Sequence, residues 1–205
     1  MGRKVEASVR IDGVRHDGVA ELESVELVFK APGVRLRIPF ATITTVEASG
    51  DRLNVEHKDG AAVFELGPEA KRWAERIRNP PTLIDKLGVK PGSKVAVLNV
   101  DDDEFLTALK ARTTDVHIQA RRVGCDMIVL GVKDRAELRR IRTQRDFIVP
   151  NGAVWVVWPK GSKAVNENDI RDAALAAGLV DVKVVSFSTT MSALKLVIRV
   201  ADRMR

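Results

Sequence analysis

Apolar and polar residues alternate from Val34 to Phe40, with Val34, Leu36 and Ile38 on one face and Arg35 and Arg37 on the other. A period of two marks a half-buried strand. The same period returns at Leu53, Val55 and His57. Apolar and β-branched residues at 26–29 and 43–48 read as further strands, and the chain comes back as a strand over 61–66. Turn signals separate these runs: Ala31-Pro32-Gly33, Ser49-Gly50-Asp51 and Lys58-Asp59-Gly60. After Gly67-Pro68 the period lengthens. Ala70, Trp73, Ala74 and Ile77 recur at helical steps and predict an amphipathic helix over 69–78. Pro68 suits its first turn, and Glu69 suits the positive end of its dipole.

The pattern changes after residue 80. A short helical lead-in over 83–87 and a turn over 88–92 precede Lys94-Val95-Ala96-Val97-Leu98-Asn99, an apolar run of the kind buried on both faces. Residues 101–112 carry Phe105, Leu106 and Leu109 at helical spacing, with acids in the first turn. Strands follow at 115–119, 126–131 and 153–158, with an Arg-rich helix over 134–147 and another helix over 167–177, stopped by Gly178. The last strands span 182–187 and 193–200. Strands alternating with helices predict a mostly parallel α/β sheet covered on both sides. The short link between the last two strands makes that pair antiparallel, so the last strand is expected to run against the rest.

Charge divides the chain at the same place. Residues 1–80 hold 13 Lys/Arg against 13 Asp/Glu, and residues 81–205 hold 21 against 15, the whole net charge of +6. Asn79-Pro80-Pro81 cannot continue a helix. Two domains are therefore expected, 1–79 and 80–205, within the range that 205 residues allow. The first is a small β-barrel or split barrel closed by one helix, with Trp73 plugging its open end.

The strand order closed by a helix resembles the pleckstrin-homology-like superfold over roughly residues 5–78. The likeness rests on Ile38-Pro39-Phe40, Ile43, Val46, Leu53, Val55, Phe64 and Trp73. These are core positions, so the resemblance implies a fold and carries no site. The second half resembles the Rossmann-like fold of class I methyltransferases. Asp126-Met127-Ile128-Val129, Val149-Pro150-Asn151-Gly152-Ala153-Val154-Trp155 and Ala176-Ala177-Gly178-Leu179-Val180 carry that likeness. More closely, residues 80–205 resemble a family of small bacterial proteins of unknown function, through Lys86-Leu87-Gly88-Val89-Lys90-Pro91-Gly92 and Trp158-Pro159-Lys160.

The methyltransferase resemblance implies a cofactor turn after the first strand, and the residues there depart from it. Close approach of backbone to a cofactor needs glycine, but the chain has Asn99-Val100-Asp101-Asp102-Asp103-Glu104. Gln119-Ala120-Arg121-Arg122 stands where the family has its ribose-binding acid, and a helix and a strand are missing between residues 120 and 126. A degenerate domain without a cofactor is expected. A methyltransferase with a divergent cofactor loop is the alternative.

Open α/β sheets bind ligands at the carboxyl ends of their strands. This places a candidate cofactor-binding pocket edge at Asn99, Asp101, Asp103, Trp158 and Lys160. The acid run 101–104 reads as a dipole-compensating helix start rather than a cation site. Arg135, Arg139, Arg140, Arg142 and Arg145 read as a solvated face, diluted by Asp134, Glu137 and Asp146. With no Tyr and 4% aromatic residues there is little to stack on bases, so nucleic acid is disfavoured. A neutral first half disfavours acidic lipid. Cys125 reads as a core residue. His16, His57 and His117 offer neither a metal pair nor a catalytic triad. No catalytic residue or metal ligand is expected. One cysteine, no long apolar run and a charged stretch over residues 1–10 imply a cytoplasmic protein without a transmembrane segment or signal peptide. The expected partner is a protein or a small-molecule ligand.

Overall fold

The computed structural model describes residues 3–203. The chain divides into two compact units, Met1–Pro81 and Thr82–Arg205.

The first unit is one antiparallel sheet, curled into a half-barrel, and one helix. Its strands are β1 (Arg3–Ile11), β2 (Val14–Leu22), β3 (Glu26–Ala31), β4 (Val34–Pro39), β5 (Ile43–Ser49), β6 (Arg52–His57) and β7 (Gly60–Glu65), and helix α1 spans Glu69–Arg78. They pair in the order β4-β3-β2-β1-β7-β6-β5, so β4 and β5 are its edges. The hairpin β1–β2 is the addition that the charged N-terminal sequence hides. Asp12 and Gly13 turn it with φ of 48° and 82°, both in the left-handed region that a two-residue hairpin turn requires. Of the charged stretch over residues 1–10, Met1 and Gly2 lie outside the described residues, and the rest belongs to β1.

Alternation places Val9, Ala20, Leu27, Phe29, Ile38, Leu53, Val55 and Phe64 in one core, closed by Ala70, Trp73, Ala74 and Ile77 of α1. Trp73 is wholly buried, and its indole Nε1 donates to Glu69 Oε2 one turn earlier at 3.2 Å. The helix lies on β5 and β6. Its Arg78 Nη2 donates to Val46 O at 2.7 Å and ties its last turn to β5.

The second unit begins with α2 (Leu83–Leu87), whose N-cap Thr82 and Asp85 form a reciprocal capping box. Then come β8 (Val95–Leu98), α3 (Asp103–Arg112), β9 (Val116–Ile118), β10 (Cys125–Gly131), α4 (Arg139–Gln144), β11 (Ile148–Pro159), α5 (Glu167–Ala176), β12 (Leu179–Ser186) and β13 (Met191–Ile198). The sheet order is β12-β13-β11-β10-β8-β9.

This sheet corrects the expectation of a mostly parallel sheet. It is mixed: β8, β9, β10 and β11 pair in parallel, but β13 lies between β11 and β12 and runs antiparallel to both. The tight turn after Ser186 forces the hairpin. Insertion of β13 beside β11 then makes a second antiparallel ladder, which strand–helix alternation does not foretell. The Arg-rich helix is also shorter than its pattern. Only 139–144 is α-helical, flanked by 3-10 turns at Arg135–Leu138 and Arg145–Phe147. Like charges at three- and four-residue steps weaken a helix.

The central strands are buried on both faces, while β12 at the sheet's edge is largely exposed. Ile84, Leu87, Phe105 and Leu109 of α2 and α3 cover one face, with Trp155 beneath them. Leu138, Ile141, Ile170 and Ala174 cover the other, with Trp158 beneath. The two tryptophans are three residues apart on β11, and strand parity sends them to opposite faces. The Trp155 indole donates to Leu87 O at 3.1 Å in a buried bond that fixes α2 onto the sheet.

Candidate functional site

With the central strands covered on both faces, their polar chemistry collects where they end. At the carboxyl end of β8, Asn99 turns the chain with φ of 55°, and after β9 Gln119 does so with φ of 53°. Asparagine enters the left-handed region readily, but glutamine does so at a cost. The two turns are joined: Asn99 N–H donates to Gln119 Oε1 at 3.1 Å, and Gln119 N–H donates to Val97 O at 2.7 Å. The end of β10 is a glycine for a steric reason. A Cβ on Gly131 would sit 2.0 Å from Asn99 O, so the first turn packs its own peptide against β10.

Beside these turns lies a cleft of about 460 Å³, lined by Leu98, Asn99, Gln119, Arg121, Leu130, Arg140 and Gln144. Gln144 is fully buried. Its Nε2 donates to Arg140 O at 2.9 Å, and its Oε1 has no partner. Arg140 Nη1 meets Glu137 Oε1 at 3.1 Å. Arg121 is exposed. No carboxylate lines the cleft. A second recess, of about 480 Å³, lies beside α3 and the β12–β13 turn. Phe105 and Phe187 form its apolar wall, with ring centroids 4.9 Å apart.

Of the residues chosen from sequence, Asn99 lines the first cleft. Asp101 and Asp103 are exposed. Between them Asp102 caps α3, its Oδ1 accepting from Phe105 N–H at 2.9 Å. Trp158 is 6% exposed and packs in the core. Lys160 Nζ donates to Ser186 Oγ at 2.8 Å, Ser188 O at 2.6 Å and Thr189 O at 3.3 Å, clamping the β12–β13 turn. Asp101, Asp103, Trp158 and Lys160 line neither recess. Sequence reasoning passed over Arg140 as one of a solvated run and did not single out Gln144. The usable signal was a polar Gln144 three residues after Ile141, where the apolar period of that helix calls for a core residue.

The remaining reactive groups are quiet. Cys125 is buried, and burial pushes its thiol above the usual range, which keeps it protonated. Its Sγ donates to Arg122 O at 3.0 Å. His117 Nε2 lies 2.8 Å from Asp115 Oδ1. Among the described residues no three of His, Cys, Asp and Glu gather as a metal cluster. No helix among them is long and apolar enough to cross a membrane.

No protein-family model matches the chain, and no curated protein matches it. Solved structures resemble parts of the chain. The N-terminal PH domain of human ARAP2 is 16% identical over 38% of this chain and 77% of that chain, with a TM-score of 0.32. The pyocyanin biosynthetic protein PhzM is 12% identical over 63% of this chain, with a TM-score of 0.44, and the chain spans 58% of its length. A putative type 11 methyltransferase from Sulfolobus solfataricus is 10% identical over 58% of this chain and 91% of that chain, with a TM-score of 0.43. Likenesses of this strength give no residue a role.

Proposed function

We propose that the protein is a non-catalytic binding module whose second unit takes a ligand or partner at the carboxyl edge of its sheet, beside Asn99. One observation carries this reading: the turn at the end of β8, where a cofactor would need a glycine cradle, has a non-glycine sequence and packs its own peptide against β10. The Asn99 peptide lies against Gly131, and no glycine occurs from Asn99 to Glu104. An adenosyl cofactor needs a glycine turn for close approach, an aromatic or apolar face for its adenine and a carboxylate to meet its cationic sulfonium. Here Gln119 is bonded to Asn99, and no acid lines the cleft. The residues do not fit S-adenosylmethionine.

A thermal-shift assay of the full chain with S-adenosylmethionine and S-adenosylhomocysteine tests the proposal. A ligand at 100 times its dissociation constant adds about 2.7 kcal/mol of stability. No shift at millimolar ligand is expected. Stabilisation of that size would promote the alternative, a methyltransferase with a divergent turn.

A further inference from the structure

The cleft beside Asn99 has a composition that selects among ligands. It is open at a strand-end turn, is lined by two arginines and no carboxylate residue, and borders Gln144, whose buried amide oxygen has no donor. We infer that this cleft binds a small phosphorylated polyhydroxy compound, of the sugar-phosphate class. The inference rests on the carboxyl-edge binding proposed above and names its ligand.

Arg121 and Arg140 supply the charge. A guanidinium has five N–H donors in a planar fork that matches a phosphate. Glu137 is placed against one terminal nitrogen of Arg140 and leaves donors over. Arg121 makes no side-chain hydrogen bond or ion pair among the described residues. Two such groups suit a dianionic phosphate monoester better than a single carboxylate.

Gln144 supplies the second element. Its Nε2 is committed to Arg140 O, so its Oε1 must be the acceptor, and it has no partner. A buried acceptor left unpaired is costly. A ligand hydroxyl that reaches this oxygen relieves that cost, and a sugar phosphate brings several hydroxyls at a distance from its phosphate, which inorganic phosphate lacks. The remaining polar lining, Asn99 and Gln119, is also of amides, which pair with hydroxyls. No aromatic side chain lines the cleft, so a nucleobase finds nothing to stack on. Leu98 and Leu130 give a small apolar wall suited to a carbon skeleton.

The test is calorimetric titration of the full chain at low salt with ribose 5-phosphate, ribose and inorganic phosphate. Ribose 5-phosphate is expected to bind at least roughly tenfold more tightly than either fragment. Arg121→Ala lowers that affinity by about tenfold or more, since charge-assisted bonds are the strong ones. Arg121 is exposed, so this variant keeps its fold, checked by melting temperature. Gln144→Leu brings ribose 5-phosphate down to the affinity of inorganic phosphate. Three results each overturn the inference: no saturable heat with ribose 5-phosphate at about 5 mM, equal affinity for inorganic phosphate, or unchanged affinity in Arg121→Ala. Saturable binding of S-adenosylmethionine would instead overturn the proposed function, and its absence beside a failed sugar-phosphate titration sinks this inference alone.

Discussion

The two units use a β-sheet in opposite ways. In the first, one face of the sheet is core and the other meets water, so charged side chains lie along the strands and pair across them. Arg37 meets Glu26 from the neighbouring strand, and Glu21 sits between Lys4 and Lys30. In the second, α2 and α3 cover one face and α4 and α5 the other. On the strands beneath these helices polar groups have no face left and gather at strand ends, where Asn99, Gln119, Arg140 and Gln144 meet. A sheet covered on both sides concentrates its chemistry at its edge. A sheet covered on one side spreads its charges thinly and satisfies them locally.

The comparison breaks most readily at the two buried indoles. Trp73→Ala should cost the first unit about 3–5 kcal/mol, the usual range for a large buried aromatic, read by chemical denaturation. A loss under about 1 kcal/mol would mean that α1 does not close that core. Trp155→Phe keeps most of the packing in the second unit but strands Leu87 O, which loses its buried donor. The expected cost is about 1–3 kcal/mol, and denaturation of the single variant checks it.

Gly131→Ala sharpens the account of the edge. The added methyl meets Asn99 O at 2.0 Å, so the turn must move, at about 1–3 kcal/mol for overpacking. A neutral substitution, by melting temperature, would show that the Asn99 peptide does not fill this space.

Limited proteolysis tests the division itself. A joint at Asn79–Thr82 is expected to give stable fragments of roughly 9 and 14 kDa, the chain's mass shared by length. Degradation without stable halves would contradict two separate folding units.

The smallest effect concerns pH. Hydrogen bonds from Thr82, with Arg112 close by, hold Asp85 down at about 2. A carboxylate lowered in the folded state stabilises fully above its unfolded value, near 3.8. That contribution is lost as pH falls through about 2. Asp85→Asn should therefore flatten the stability curve between these values and leave its slope near neutral pH unchanged, as melting temperatures across that range would show.

Much of this fold was legible because local signals and burial agree. Val34, Leu36 and Ile38 alternate and turn one face inward, and Ala70, Trp73, Ala74 and Ile77 bury one stripe. The β1–β2 hairpin was less legible because Arg3, Lys4, Glu6 and Arg10 mask an alternation of Val5, Ala7, Val9 and Ile11. Only Asp12-Gly13 betrays the turn. The mixed sheet was not legible, because nothing local to β13 says that it inserts beside β11. The cleft was half legible. Asn99 follows from the rule that ligands gather at strand ends. Arg121, Arg140 and Gln144 come together only through the crossover from β10 to β11 and the short return from β9, which no single segment encodes.

Isothermal titration of the full chain with S-adenosylmethionine tests the central claim most directly. The account predicts no saturable heat, because the Asn99 turn has no glycine and is packed on Gly131, and the cleft has neither an aromatic side chain for an adenine nor a carboxylate to face a cationic sulfonium. A dissociation constant below about 100 μM, equivalent to roughly 5.5 kcal/mol, would contradict it.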